Sequence, residues 1–201
     1  MNNQSHFPEL EYAEERFTEL KCAEAEFRGR EFYDCVFVNC TFSEATFYAC
    51  KFDECIFQEC DLRLMKVTDS IFINVQFQKC QAIGVDWTVA DWSRIGLAEP
   101  LNFTECAISH SSFMGIPLKK SLLKKCEAEN ADFAEADLSE ADCTETNFLS
   151  ARFTQTNLAK TNFEDAINYA IDVHQNTLTK TKFSMPEAIS LLDSLDIIVK
   201  D

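Results

Sequence analysis

Glycine and proline are scarce in this chain, four of each in 201 residues, and histidine is scarcer still at three. So few glycines leave no Gly-rich loop able to cradle a phosphate. His6, His110 and His174 stand apart from one another, and neither a metal cluster nor a nucleophile motif accompanies them. These absences argue against an enzyme and imply neither cofactor nor metal. No apolar run approaches the ~18 residues of a membrane span. The opening MNNQSHFPEL has neither the basic start nor the apolar core of a secretory signal, so a soluble cytoplasmic protein is expected. Basic side chains are also short, 18 against 34 acidic ones for a net charge of −16. That balance argues strongly against nucleic acid as a partner, because phosphate binding needs the opposite sign, and favours a basic partner.

What the chain has in abundance is a period. From Cys35 to Leu62 it reads CVFVNCTFSEATFYACKFDECIFQECDL, with a large apolar residue i every five positions and a small one, mostly cysteine, two before it. Neither regular element accepts a five-residue period: on a helix successive large residues stand about 140° apart, and on a strand they alternate faces. The backbone must turn once per repeat, as a coil of short extended segments stacked about 4.8 Å apart. The expected fold is an all-β solenoid. All eighteen Phe fall on two such registers, eleven from Phe7 to Phe77 and seven from Phe103 to Phe183. Of ten cysteines, eight sit at i−2 and Cys22 and Cys143 at i, with no CxxC pair, so buried reduced thiols are expected rather than disulfides or metal ligands.

One domain over residues 1–201 is expected: an irregular N-terminal coil or cap over 1–20, coils over 21–183 with a register slip at 98–102, and a cap over 184–201. At Trp87 and Trp92, locally widened coils and outward-facing rings are both open readings. Ser184 with Glu187 reads as a capping box, followed by an amphipathic helix and a strand at Asp196–Val199. Leu191, Leu192, Leu195, Ile197 and Ile198 exceed what capping one coil requires, and are the expected dimer seam.

The acids carry the functional signal. Asp132, Asp137 and Asp142 at i−1 can serve the turns, whereas i+2 reads as a freer position. Stacking at twenty residues predicts a face on Phe32, Phe52, Phe72, Trp92, Phe113, Phe133, Phe153 and Val173 that gathers Glu31, Asp34, Asp53, Glu54, Asp91, Asp132, Glu135 and Asp172 against Lys51, Arg94 and Arg152. Another face, with Lys79, Lys119, Lys120, Lys160 and Lys180, is predicted to be near neutral. Two classes of function fit: a DNA mimic offering carboxylates to a cationic groove, and an acidic scaffold for an unrelated protein.

The stretch ADFAEADLSEADCTETNFLS, Ala131 to Ser150, resembles the A(D/N)LXX consensus of the pentapeptide-repeat proteins. That resemblance implies a right-handed quadrilateral β-helix with four repeats per coil. CKFDECIFQECDL, QKCQAIGVDWTVADW and DAINYAIDVHQNTLTKTKFSMPEAISLLDSLDI are similar to the topoisomerase-protecting group, AlbG-like albicidin-resistance proteins most closely, then the McbG, Qnr and MfpA groups. The resemblance implies DNA gyrase as partner, topoisomerase IV as a second one, relief of poisoning by quinolones or toxins as function, and a homodimer joined at the C-termini. The long inserted loops of the Qnr group are missing, which favours toxin immunity over quinolone protection, and Lys119, Lys120, Lys124 and Lys125 interrupt the acidic surface.

Overall fold

The computed structural model describes residues 7–93, 101–195 and 197. The backbone pairs in parallel with itself twenty residues on. Glu11–Ala13, Glu31–Tyr33, Lys51–Asp53 and Ile71–Ile73 line up in one sheet. Arg16–Thr18, Val36–Val38, Ile56–Gln58 and Val75–Gln78 line up in the next. Four faces close each coil, and about eight coils make the parallel β-solenoid that the five-residue period predicts. Face 1 carries Tyr12, Phe32, Phe52 and Phe72; face 2 carries Phe17, Phe37, Phe57 and Phe77. Face 3 carries Cys22, Phe42, Leu62 and Ala82, and face 4 Phe27, Phe47, Val67 and Trp87.

The core is a set of stacked columns. Phe37 lies parallel on Phe57 at 4.6 Å and Phe57 on Phe77 at 5.1 Å, while neighbouring faces meet edge to face, as Phe47 meets Phe52 at 5.3 Å. Each buried phenyl removes apolar surface worth about 1.5–3 kcal/mol, and each ring pair adds about 0.5–1.5. At i−2 small residues stand beside the rings, and most of those with a thiol or hydroxyl bond to backbone carbonyls. Cys80 and Cys106 donate weakly to the carbonyls of Phe57 and Phe77, both at 3.3 Å. Ser70 makes the same bond as a hydroxyl, to Phe47 at 2.9 Å, and accepts the Cys50 N–H at 3.0 Å. All ten cysteines are buried and free.

The corners correct one expectation. Position i+2 holds left-handed backbone in coil after coil, with φ of +57° at Glu14, +51° at Asp34, +55° at Glu54, +64° at Lys120 and +62° at Lys160. Such backbone costs an L-residue roughly 1–2 kcal/mol, so the position is constrained, not free. Gly29, Gly84 and Gly115 occupy it as well, which gives three of the few glycines a shared task.

The first coil pairs regularly from Glu11 onward, while Phe7 lies across its end, edge to face with Tyr12, Phe17, Phe27 and Phe32. Phe7 is fully buried, and Tyr12 and Phe17 stack on Phe32 and Phe37 at 5.4 and 5.1 Å. The register slip also differs from its expected form. Leu101 and Asn102 already belong to strand Leu101–Thr104, paired with Val75–Gln78, while residues 98–100 lie outside the described residues. Phe77 pairs with Phe103 and Asp86 with Ser112, an offset of 26 in place of 20. The offset is six residues longer than a coil, so every later repeat stands one face behind where twenty-residue stacking would put it. Both indoles turn inward. Trp87 is buried and stacks on Phe113 at 6.3 Å and 17°; Trp92 stacks on Phe72 and donates its Nε1–H to Trp87 O at 2.9 Å.

At the C-terminus a 3-10 helix, Glu187–Leu195, lies over the last coil. Ser184 and Glu187 cap the solenoid rather than this helix. Ser184 Oγ accepts the Asp165 N–H at 2.8 Å, Glu187 Oε1 accepts that of Asn168 at 2.5 Å, and Ser194 Oγ accepts that of Val173 at 3.3 Å. An open sheet end offers such orphan donors, and side chains that satisfy them block edge-to-edge stacking. Ile197 is in no strand; Asp196, Ile198 and Val199 lie outside the described residues. No helix among the described residues is long and apolar enough to cross a membrane.

Candidate partner-binding surface

The 26-residue coil decides which charges share a face. Phe103 sits on Phe77 and Phe113 on Trp87, so Phe113, Phe133 and Phe153 continue face 4. Face 1 continues instead through Leu118, Leu138 and Leu158, whose preceding residues Pro117, Asp137 and Asn157 bridge in sequence. The single acidic face expected from the sequence is therefore two. Glu31, Asp34, Asp53, Glu54 and Asp91 lie on face 1. Asp132 and Glu135 lie on face 4, one column round, followed by Asp172 in the last coil.

Face 1 changes sign along its length. Before residue 94 its outward positions hold Glu11, Glu14, Glu31, Asp34, Asp53, Glu54 and Asp91 against Lys51. From Pro117 onward they hold Lys119, Lys120, Lys160 and Lys180 against Asp137 and Glu140. The lysines assigned to a separate, neutral face thus extend the acidic one, and Lys79 alone stands elsewhere, beside Glu105 at 3.9 Å. Glu11 and Glu14 were missed as members because the first coil read as irregular; the period through Phe7, Tyr12 and Phe17 was the signal that places them.

Local partners differ sharply between the acids. Tyr33 donates its hydroxyl to Glu31 at 2.5 Å, and Lys51 lies 4.4 Å over the Tyr33 ring while bridging Asp53 at 2.8 Å. The hydrogen bond to Glu31 pushes the Tyr33 phenol up, and the bond to Asp53 holds the Lys51 ammonium above its ordinary value. Asp34 and Glu54 project from the corner, exposed. On face 4, Arg152 in the next coil forks onto Asp132, which also accepts the Ala134 N–H at 3.0 Å. Burial raises the Asp132 carboxyl, but these two donors outweigh it and leave it below the usual range. Asp172 is held low chiefly by the His174 N–H, in a turn that Gln175 closes. Asp132 and Asp172 are thus engaged within the solenoid, whereas the corner acids of face 1, Glu14, Asp34 and Glu54, are exposed. Among the described residues no group of three or more His, Cys, Asp or Glu could hold a metal ion.

At the C-terminal end Leu191 packs on the core and Leu192 is half-buried, while Leu195 and Ile197 are exposed; Ile198 lies outside the described residues.

Family descriptions match twice: "Pentapeptide repeat region" over residues 30–101, and "Pentapeptide repeats (8 copies)" over residues 126–165. The chain belongs to the pentapeptide-repeat family. Among solved structures, a trypsin-treated variant of QnrB1, a plasmid-mediated fluoroquinolone resistance protein, is similar with a TM-score of 0.65 at 20% identity, over 95% of this chain and 92% of that one. A second trypsin-treated variant gives 0.65 at 19%, over 92% and 100%. Full-length QnrB1 gives 0.61 at 19%, over 93% and 100%. At that identity the likeness establishes the fold. No curated protein sequence matches the chain.

Proposed function

We propose that this protein binds bacterial DNA gyrase where DNA would lie, with topoisomerase IV as a second partner, and so protects the enzyme from a poison in the cytoplasm. The observation that carries the reading is the acidic half of face 1. Among the described residues, seven carboxylates against one lysine stand on five stacked coils. At about 4.8 Å per coil that is roughly one carboxylate per 3.4 Å, which matches the ~3.4 Å between phosphates of one DNA strand. The likeness to QnrB1 supports a fluoroquinolone as the poison, and the missing inserted loops support a toxin such as albicidin. The exposed Leu195 and Ile197 support dimerisation through the C-terminal segment, which would place two acidic halves at the far ends of a longer rod.

The test is charge reversal at the face 1 corner, Glu14→Lys with Asp34→Lys and Glu54→Lys. Lysine already takes the same left-handed corner at Lys120, Lys160 and Lys180, so the variant should fold. Exposed ion pairs are worth about 0–1 kcal/mol each, so three reversals should weaken gyrase binding by tenfold or more. Wild-type affinity should fall steeply with salt. Supercoiling assays with a fluoroquinolone or albicidin then read protection. Unchanged binding by the folded variant, or a gyrase complex that DNA does not compete away, would leave the unrelated-partner scaffold as the better account.

A further inference from the structure

Across face 4 a groove of about 440 Å³ runs from the face 3 side to the face 1 side, lined by Glu44, Leu64, Met65, Lys66, Asp86 and Val89 among others. Its volume is in the range of sites that hold a small ligand or one large side chain with its neighbours. Leu64 holds the left-handed corner backbone, φ +56°, and is 52% exposed. Most corners elsewhere are polar or charged, so this leucine combines backbone strain with uncovered apolar surface. Gly84 sits beneath it in the next coil. A Cβ there would stand 2.7 Å from Leu64 Cδ2, so the glycine is what lets the leucine lie over the groove floor. Val89, 40% exposed at the end of the 3-10 turn Trp87–Val89, forms the far wall.

The rim is polar, with Glu44 and Asp86 against Lys66. Asp86 accepts the N–H and hydroxyl of Thr88 at 3.0 and 2.6 Å, which fixes its carboxylate at the edge, and Glu44 stands across from it. Past Val89 the surface continues to Asp69, whose N–H donates to Val89 O at 2.9 Å, and then to the acidic half of face 1. Groove and acidic face are thus one continuous surface around the face 4 corner.

We propose that the groove receives a large apolar side chain from a basic segment of the same protein that the acidic face grips, with flanking Lys or Arg side chains meeting Glu44 and Asp86. The partner's identity rests on the gyrase reading above. Carboxylates on an exposed face steer association and add little net affinity, whereas a well-packed apolar anchor sets residence. Leu64 and Val89 supply the walls for such an anchor.

Leu64→Asn tests this, because asparagine takes left-handed backbone readily and already holds the equivalent place at Asn39, Asn74 and Asn130. Gyrase binding is measured for wild type, Leu64→Asn and Val89→Thr across a salt series, with thermal melting as the folding control. The expected result is a Kd raised about tenfold or more through faster dissociation, with association rate, salt slope and melting unchanged. An unchanged Kd in Leu64→Asn overturns the inference while the gyrase reading stands. Wild-type protein with no affinity for gyrase removes that reading first, and the control separates the two failures. Direct binding of free poison to wild type but not to Leu64→Asn, at equal gyrase affinity, would make the groove a small-molecule site and also overturn the inference.

Discussion

Alkali should unfold this protein through its core. Burial pushes the Cys55 and Cys126 thiols up to about 12 from an ordinary 9.0, so the folded state keeps them protonated where an unfolded chain would ionise them. A thiol raised in this way contributes its stability in full below pH 9 and loses it as the pH climbs from 9 toward 12. At about pH 10 each such thiol has cost on the order of 1 kcal/mol, against a total stability on the order of 5–15. Above that the slope is about 1.4 kcal/mol per pH unit per thiol. The perturbation is Cys55→Ala with Cys126→Ala, since alanine fills the same i−2 place at Ala45, Ala131 and Ala136, all buried. Urea unfolding is followed from about pH 8 to pH 11 in wild type and variant. The variant loses packing at every pH, but its curve should be shallower by roughly 2–3 kcal/mol per unit above about pH 10. Lysines and tyrosines titrate equally in both proteins and cancel. Parallel curves would show that these thiols ionise without unfolding, and the burial argument would fail.

Phe57→Ala removes a ring stacked on both sides and should cost about 3–5 kcal/mol by denaturant melting, whereas Phe57→Leu should cost about 1, because Leu123 fills the same column. Asp132, held low by Arg152 and the Ala134 N–H, adds stability above its unfolded value of 3.8 and loses it as the pH falls through its lower folded one. Asp132→Asn should therefore flatten the acid limb of a melting-versus-pH curve, by no more than about 0–1 kcal/mol since the pair is largely solvated.

The solenoid was legible because one constraint recurs in every repeat: a large residue at i and a small one at i−2 admit only a backbone that turns every five residues. Inward thiols followed from the same positions. The corners were less legible. Left-handed backbone usually announces itself through glycine or asparagine, yet most corners carry Glu, Lys or Asp, held there by the stacked N–H to C=O bonds between coils, such as Glu54 N–H to Ile73 O at 2.9 Å. The solenoid cap was misread for a related reason. Ser184 and Glu187 have the spacing of a capping box, but the orphan donors of the last coil lie nearer than those of the short helix, and the nearer donors took the oxygens.

The surface was misplaced by arithmetic. The register change from Phe77 to Phe103 reads as a slip of one, because one and six are the same shift in a period of five. A coil is four repeats long, and in a period of twenty they differ. A slip of one would have left Asp132 and Glu135 on face 1 and collected all the outward acids in a single stripe. The actual offset of 26 turns the later repeats by a whole face, so Lys119, Lys120, Lys160 and Lys180 follow Asp34 and Glu54 instead. Ring contacts drive that choice: the offset puts Phe113 on Trp87 and Phe103 on Phe77, whereas a slip of one would set a phenyl over Trp92, which is already tied to Trp87 O. Packing inside the rod thus fixes the charge pattern outside it. A partner reading face 1 meets an anionic groove-filler for half the rod and a cationic surface for the rest, and only the N-terminal half, from Glu11 to Asp91, has the sign that a DNA-binding groove accepts.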